Sequence, residues 1–177
     1  MNKALFLDRD GVINIDKKYI YKSRDLIFTD GIKELIKAAK LRSYKIICIT
    51  NQSGIARGFY QEKDLKSFMN YMNQCLVDSI GFELDSFYFC PHHPDGSVKE
   101  YSFICDCRKP AIGLFKKACN EFKIDCKNSI FIGDKLSDLQ AAESMNIKKI
   151  YFYSTANIIY KNKRYITINK IEKVRLW

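Results

Sequence analysis

The sequence lacks any apolar run long enough to cross a membrane, and it also lacks an export signal. The short apolar stretch at residues 4–7 is interrupted at once by charged residues, beginning with Asp8. Internal repeats and low-complexity tracts are missing as well. We therefore expect one cytoplasmic domain over residues 1–177, with no membrane association and enough apolar content to bury a core.

Acidic residues are too few to balance the basic ones, and the formal net charge is +10. This excess implies an anionic ligand, but a nucleic acid, a lipid surface and a small phosphorylated molecule would all fit it. We divide the domain into a core of residues 3–153 and a basic tail of residues 154–177. Much of the excess positive charge lies within 160–177, where we predict a solvated, loosely packed face without chemistry.

The seven cysteines are an odd number in a chain without an export signal, which argues against a disulfide framework and raises the question of metal binding. Cys48 lies in an apolar strand pattern, and Cys75 and Cys119 lie in helical patterns, where cysteine acts as a small hydrophobic residue. Cys126 has no evident partner. The remaining three lie within residues 90–110, an irregular segment that is long for a plain connection.

Strand and helix patterns alternate along the chain. The strands are predicted at residues 4–7, 45–49, 86–89, 129–132 and 149–152, and the helices at 31–41, 61–80, 112–122 and 136–145, with Asp30 as the cap of the first helix. This alternation predicts an α/β fold, a single Rossmann-like domain with a central parallel sheet flanked by helices.

Polar motifs follow three of these strands, where the carboxyl ends of a parallel sheet form a binding crevice. They are Asp8-Arg-Asp-Gly, Thr50-Asn-Gln-Ser-Gly and Gly133-Asp-Lys-Leu-Ser-Asp. Any one of them could be an ordinary polar turn. Three such motifs at one crevice are much less easily explained as ordinary turns, and together they predict a catalytic site.

Phosphate-ester hydrolysis would use every one of these motifs. Asp8 would attack phosphorus and form an aspartyl phosphate, and Asp10 would first protonate the leaving oxygen and then activate water. Since two carboxylates repel a phosphate, we expect Mg²⁺ on Asp8, Asp134 and the Asp10 carbonyl. Asp138 either orients this ligand shell or caps the following helix.

The remaining groups would bind the phosphoryl oxygens. Thr50 and the main-chain amides of Asn51 and Gln52 would cradle these oxygens, and Lys109 would balance the charge that develops on them. Arg108 could grip a second anionic group. Lys135 and Arg57 could add positive potential, although an ordinary surface cation is an equally good interpretation of Arg57.

These motifs resemble those of the haloacid dehalogenase superfamily of phosphatases over residues 5–152. Cys90-Pro-His-His-Pro-Asp-Gly96 with Cys105-Asp-Cys-Arg-Lys-Pro110 is similar to the D,D-heptose 1,7-bisphosphate phosphatase group. In that group a zinc-binding loop stands in place of a large cap domain. The resemblance implies a zinc loop at residues 90–110 and sugar contacts from residues 16–19.

Three thiolates and one imidazole form a closed set typical of structural zinc. The predicted ligands are Cys90, His92, Cys105 and Cys107. Zinc would fix the loop and aim Arg108 and Lys109, which directly follow the last ligand. His93 could replace His92, and reduced cysteines beside a turn are the alternative to a metal site.

The length of the loop narrows the choice of substrate. Histidinol-phosphate phosphatases share the zinc pattern but have a compact loop, whereas residues 93–104 form the longer insertion of the heptose group. We therefore expect a monomeric, Mg²⁺-dependent phosphatase that removes the 7-phosphate of D-glycero-D-manno-heptose 1,7-bisphosphate, for nucleotide-activated heptose and surface polysaccharide synthesis. The predicted substrate-binding residues are Asp16, Lys17, Lys18, Tyr19, Thr50, Asn51, Gln52, Ser53, Arg108, Lys109 and Lys135.

Three other functions stay open at this point. Histidinol-phosphate phosphatase is disfavoured by loop length only, and a polynucleotide 3'-phosphatase would use the positive charge. A zinc-stapled nucleic-acid-binding module would have no use for Asp8, Asp10, Lys109 and Asp134 together. Nucleic acid is therefore the less favoured partner, and a small phosphorylated sugar is the expected one.

Overall fold

A computed structural model describes residues 1–156, 158 and 164–177. Its six strands form one parallel sheet in the order β3-β2-β1-β4-β5-β6. The strands are β1 Ala4–Leu7, β2 Lys45–Asn51, β3 Ser86–Cys90, β4 Ile130–Gly133, β5 Lys149–Tyr153 and β6 Tyr165–Ile168. The helices are α1 Ile32–Leu41, α2 Ser53–Ala56, α3 Glu62–Ile80, α4 Gly113–Phe122 and α5 Leu136–Ser144. The predicted α/β class is confirmed.

β1 lies at the centre of the sheet and is buried on both faces, which is why it consists only of apolar residues. Leu5 pairs with Ile46 of β2 and with Ile130 of β4, and its side chain packs in the core on the α1 and α3 face. Phe6 points to the opposite core, where its ring contacts Phe115 of α4 at 5.3 Å between centroids. The strand order reverses between β1 and β4, so the binding crevice opens beside these two strands.

Several predicted boundaries shift by one or two residues. The cap predicted for α1 was wrong: Gly31 occupies the N-cap position with a φ of 80°, and no side chain caps the helix. A left-handed turn of this kind favours glycine, so the chain enters α1 one residue later than the Asp30 cap requires. Gln61 and Asp64 form a capping box at the start of α3.

The prediction of a loosely packed tail was also wrong. Residues 165–168 form β6, which pairs in parallel with β5, and Ile168 is only 4% exposed. Beyond β6, Ile171 and Val174 are buried in the core beside α1. A few apolar residues at the right spacing suffice to dock this segment, although lysines surround them. Tyr160, Lys161 and Lys163 lie outside the described residues.

Within the described part of the chain, no helix is both long enough and apolar enough to span a membrane. The longest, α3, places Leu65, Phe68 and Met72 in the core and polar residues on its other side. This arrangement is the pattern of a helix that covers one face of a sheet.

Candidate active site

The three predicted motifs lie together where β1, β2 and β4 end. Asp8 follows β1, Thr50 is near the end of β2, and Asp134 follows β4. They border a cleft of about 590 Å³, which is joined through Asp16 to a neighbouring cleft of about 520 Å³. Predicted site residues that line the first cleft are Asp10, Asp16, Lys18, Tyr19, Asn51, Gln52, Ser53, Arg108, Lys109 and Lys135.

Lys109 is the buried cation at the base of this cleft and is 2% exposed. Its Nζ donates to Asp8 Oδ1 at 2.7 Å and to the Ile49 carbonyl at 2.7 Å, and it lies 2.8 Å from Asp138 Oδ1. Burial alone would lower the pKa of Lys109, but Asp138 and Asp8 raise it above its ordinary value. The lysine therefore stays charged beside Asp8, as the prediction of its role requires.

Three carboxylates offer ligand atoms within 4.8 Å of one another: Asp8, Asp134 and Asp138. Burial raises the pKa of Asp8 to about 6 and, together with the nearby charge of Asp8, raises that of Asp134 to about 8. Asp134 Oδ1 is buried without a hydrogen-bond partner among the described residues. With Lys109, the three carboxylates carry a formal charge of −2, so the cluster fits one hard divalent cation such as Mg²⁺.

Gly11 makes room for this cluster. Its φ is +90°, and a Cβ atom at this position would overlap the Asp134 carboxylate. The motif therefore requires glycine both for the left-handed turn and for the close approach of Asp134 to the chain after β1.

Asp138 caps the following helix, which is one of the two roles that the sequence left open, and it also lies in the carboxylate cluster. Its Oδ2 accepts from the Lys135 main-chain amide at 3.1 Å and so caps α5. Its Oδ1 forms the ion pair with Lys109 and faces the carboxylate cluster. One side chain thus joins the start of α5 to the base of the cleft.

Asp10 is held by four donors. Arg9 donates to both of its oxygens, at 3.0 Å from Nε and 2.6 Å from Nη2, and Asn14 Nδ2 and Gln52 Nε2 add bonds of 3.1 and 2.9 Å. Burial raises the pKa of Asp10, but the Arg9 charge and these bonds bring it below its ordinary value. Arg9 itself is completely buried.

The predicted phosphate cradle needs one correction. The Gln52 main-chain amide donates to the Cys90 carbonyl at 2.8 Å, so it extends the sheet and is not free for a phosphoryl oxygen. Instead, the Gln52 side chain bridges Asp10 and Thr50, with Nε2 2.8 Å from Thr50 Oγ1. Since Thr50 Oγ1 accepts this bond, its own hydrogen remains available to a ligand.

Asn51 holds the segment that carries Lys109. Its Oδ1 accepts from the Lys109 main-chain amide at 3.0 Å, and its Nδ2 donates to the Lys109 carbonyl at 3.1 Å. This two-point contact fixes the backbone of Lys109 against the end of β2. The side chain of Asn51 therefore has a positioning task besides lining the cleft.

The four predicted zinc ligands converge. The sulfurs of Cys90, Cys105 and Cys107 lie 3.1 to 3.4 Å apart, and His92 Nδ1 lies 3.3 Å from Cys107 and 3.6 Å from Cys90. Disulfide-bonded sulfurs are about 2.05 Å apart. Two thiolates on one tetrahedral zinc, at Zn–S distances of about 2.3 Å, are about 3.8 Å apart. The sulfur separations are therefore nearer to those of a metal site than to that of a disulfide, and the histidine within this cluster is His92, not His93.

This cluster is connected to the cleft on two sides. Arg108 Nη1 donates to the His92 carbonyl at 3.2 Å, so Arg108 and Lys109 leave the cluster in a fixed direction. The insertion at residues 93–104 packs on α2, where the amides of Ser97 and Val98 donate to the Ala56 carbonyl at 2.8 and 2.9 Å. The loop therefore supports both the cations and the segment after Thr50.

The segment 16–19 forms one wall of the cleft. Asp16, Lys18 and Tyr19 line it, whereas Lys17 is exposed and is not among the described lining residues. Lys135 Nζ lies 3.7 Å from Asp16 and 3.8 Å from Asp134, so its charge reaches the carboxylate cluster.

Arg57 lies outside the cleft lining given by the described residues. Its Nη2 is 3.4 Å from His93 Nε2, so it contacts the insertion at residues 93–104. Neither of the two interpretations of Arg57 made from the sequence includes this contact.

The sequence did not reveal the residues behind Asp10. Arg9, Asn14 and Tyr60 complete its network, and Tyr60 donates to Gln52 Oε1. The position of Arg9 between two aspartates, at the end of a buried strand, was the one sequence feature that could have indicated its contact with Asp10. The expectation that Cys126 has no partner was wrong, since its Sγ lies 3.3 Å from Cys119 Sγ.

Comparison with known proteins finds phosphatases that are similar to this chain. A family model described as polynucleotide kinase 3 phosphatase matches residues 4–165. The chain is 50% identical over 145 residues to the D-glycero-alpha-D-manno-heptose-1,7-bisphosphate 7-phosphatase of Campylobacter jejuni, which covers 82% of this chain and 78% of that protein. It is 45% identical over 144 residues to the D-glycero-beta-D-manno-heptose-1,7-bisphosphate 7-phosphatase of Yersinia pestis, which covers 81% and 76%.

A solved structure extends the comparison. The D,D-heptose 1,7-bisphosphate phosphatase from B. bronchiseptica, complexed with magnesium and phosphate, has a TM-score of 0.78 and 26% sequence identity to this chain. The match covers 95% of this chain and 93% of that one. The predicted resemblance is confirmed.

Proposed function

We propose that this chain, which belongs to the haloacid dehalogenase phosphatases, removes the 7-phosphate of D-glycero-D-manno-heptose 1,7-bisphosphate. Within that superfamily it belongs to the heptose 1,7-bisphosphate 7-phosphatases. It is a phosphoric monoester hydrolase. The proposal includes a cytoplasmic, monomeric enzyme that serves nucleotide-activated heptose synthesis for lipopolysaccharide or surface polysaccharide. The observation that carries it is the buried Asp8–Lys109 pair at the base of the cleft.

In the first step Asp8 attacks phosphorus and the bond to the sugar oxygen breaks. Asp8 Oδ1 is bound by Lys109 at 2.7 Å, so its other oxygen can act as the nucleophile. The ammonium group of Lys109 balances negative charge on the phosphoryl oxygens, and Thr50 donates its hydroxyl hydrogen to one of them. The product of this step is an aspartyl phosphate on Asp8 and the free sugar alcohol.

A Mg²⁺ ion would be held by Asp8, Asp134 and the Asp10 main-chain carbonyl, and it would supply charge neutralisation that lets a phosphate approach the carboxylates. Asp134 Oδ1, which is buried without a hydrogen-bond partner in the described part of the chain, supports this assignment. Asp138 supports it from behind, because it pairs with Lys109 and caps α5.

Asp10 transfers the protons of the reaction. It gives a proton to the departing alkoxide in the first step and takes one from the attacking water in the second, which restores Asp8. The Arg9, Asn14 and Gln52 bonds keep its carboxyl group at the edge of the cleft. Because these bonds favour the charged form, Asp10 is prepared to take a proton from water in the second step, and that proton is the one it gives to the next leaving group.

Zinc on Cys90, His92, Cys105 and Cys107 would be structural, since four protein ligands leave no position for a substrate. The Arg108 bond to the His92 carbonyl supports a role in aiming Arg108 at a second anionic group. The 1-phosphate of the sugar is such a group, and a bidentate guanidinium contact suits it.

Steady-state kinetics with a panel of substrates tests the proposal. The panel contains both anomers of the heptose bisphosphate, histidinol phosphate, fructose 1,6-bisphosphate and a nicked duplex with a 3'-phosphate. We expect kcat/KM to be at least about 10²-fold higher for one heptose anomer than for the other phosphates. A preference for histidinol phosphate, or efficient hydrolysis of the duplex end with binding that weakens steeply in salt, would contradict the proposal.

A further inference from the structure

Arg9 lies behind the cleft, and the steps above give it no direct contact with the substrate. It is 0% exposed, and its guanidinium lies 5.0 Å from the centre of the Phe68 ring. Its Nε and Nη2 atoms bind both oxygens of Asp10, and Nη2 also donates to the Ile20 carbonyl at 2.9 Å. The side chain thus joins Asp10 to Ile20, which directly follows the segment 16–19 that lines the cleft.

Stability alone does not account for this ion pair. A buried pair is often no more stable than well-packed apolar residues of the same volume. In addition, Arg9 Nη1 is buried with no hydrogen-bond partner among the residues that the structure describes, which adds a cost. What a bidentate pair does provide is a fixed plane and direction for the carboxylate.

The other two donors hold Asp10 less firmly. Asn14 Nδ2 donates to Oδ1 at 3.1 Å and Gln52 Nε2 to Oδ2 at 2.9 Å, and each is shared with another acceptor. Both donors are neutral, and both bonds are longer than the 2.6 Å bond from Arg9 Nη2. Because a charged, two-point contact is the stronger one, Arg9 contributes most to the orientation of the carboxyl group.

We propose that Arg9 is the positioning residue for leaving-group protonation: it holds Asp10 in the orientation that reaches the departing oxygen and ties that orientation to the segment 16–19. The inference rests on the proposed function, because it requires Asp10 to be the general acid. It extends that function to a residue that contacts neither substrate nor metal.

The test compares two leaving groups. The alkoxide of the heptose bisphosphate needs a proton to depart, whereas the nitrophenolate of p-nitrophenyl phosphate departs without one. Arg9→Lys keeps the charge but loses the planar fork. We expect its kcat/KM to fall by about 10²-fold for the sugar and by less than about 5-fold for p-nitrophenyl phosphate. Arg42→Lys, the same change at the exposed end of α1, should alter neither value.

Asp10→Asn separates failure of this inference from failure of the proposed function. It should show the same selective loss, and an equal loss on both substrates would refute Asp10 as the acid. Given that selective loss, Arg9→Lys added to Asp10→Asn should cause no further decrease, because both act on one step. Two results would overturn the role of Arg9. One is an additive loss of kcat/KM in the double variant. The other is an Arg9→Lys variant whose kcat/KM does not fall, or falls equally for both substrates. If thermal melting shows Arg9→Lys unfolded, Arg9→Gln, which is planar and neutral, takes its place under the same criteria.

Discussion

Asp134→Asn should stabilise the magnesium-free protein at alkaline pH. The ordinary pKa of this carboxyl is 3.8, whereas burial and the nearby Asp8 charge raise it to about 8 in the folded state. Between these values the folded protein binds more protons than the unfolded chain, so its stability falls as the pH rises. Asparagine has the same shape but no charge, so it removes this penalty.

The size of the effect follows from the shift. One pKa unit corresponds to about 1.4 kcal/mol, so the penalty is small near pH 4 and reaches a few kcal/mol above pH 8. We expect Asp134→Asn to raise the free energy of unfolding by about 2–4 kcal/mol at pH 8.5 and by about 1 kcal/mol at pH 5. For a chain of this length, the larger effect corresponds to a Tm increase of about 4–16 °C.

Thermal melting in magnesium-free buffer measures this effect, and the buffer contains no chelator so that zinc proposed for residues 90–107 would not be removed. Adding Mg²⁺ should then raise the Tm of the unmodified protein at pH 8.5 and leave that of the variant almost unchanged. Asp138→Asn is the matched control, and it should lower stability by about 1–3 kcal/mol because it breaks the buried pair with Lys109. An Asp134→Asn variant that melts at or below the unmodified protein without Mg²⁺ would refute the reasoning.

Three further predictions concern neighbouring residues. Gly11→Ala places a Cβ atom against the Asp134 carboxylate at a φ of +90°, so the Mg²⁺ concentration for half-maximal activity should rise by at least about 10-fold; an unchanged titration would contradict this. Lys109→Met leaves Asp8 and Asp138 without their cation, and should reduce kcat by more than about 10³-fold and unfolding free energy by about 3–5 kcal/mol in denaturant titrations. Elemental analysis should find one zinc per chain, and removing it should expose residues 90–110 to limited proteolysis; cleavage that does not change would argue against a structural metal site.

The convergence of the candidate catalytic residues could be predicted because it follows from the topology of the sheet. Asp8, Thr50 and Asp134 each follow or end a strand of one parallel sheet, and such ends share one edge. The convergence of Cys90, His92, Cys105 and Cys107 could be predicted from their spacing and residue types. The sequence could not show whether Asp138 faces the cleft or caps α5, because one of its oxygens pairs with Lys109 and the other accepts from the Lys135 amide.

The network behind Asp10 depends on packing that no local pattern records. Tyr60 reaches Gln52 only because the chain after α2 folds back on the cleft, and Arg9 turns inward beneath Phe68 of α3. The same holds for β6, a short edge strand beside a lysine-rich segment, which is fixed by its pairing with β5. The Gln52 amide was misassigned because the end of β3 pairs one residue further than the apolar run suggested.

In the proposed mechanism Asp8 is the residue that becomes phosphorylated. Asp10→Asn should slow hydrolysis of the intermediate, and p-nitrophenyl phosphate can form it without a proton donor. Rapid quenching of this reaction, borohydride reduction and mass spectrometry of the peptides therefore reveal which carboxyl group carried the phosphate. We predict reduction at Asp8 alone, and none when Asp8→Asn is added. Reduction at Asp134 or Asp138, or a reduced carboxyl group that is still found when Asp8→Asn is present, would contradict this mechanism.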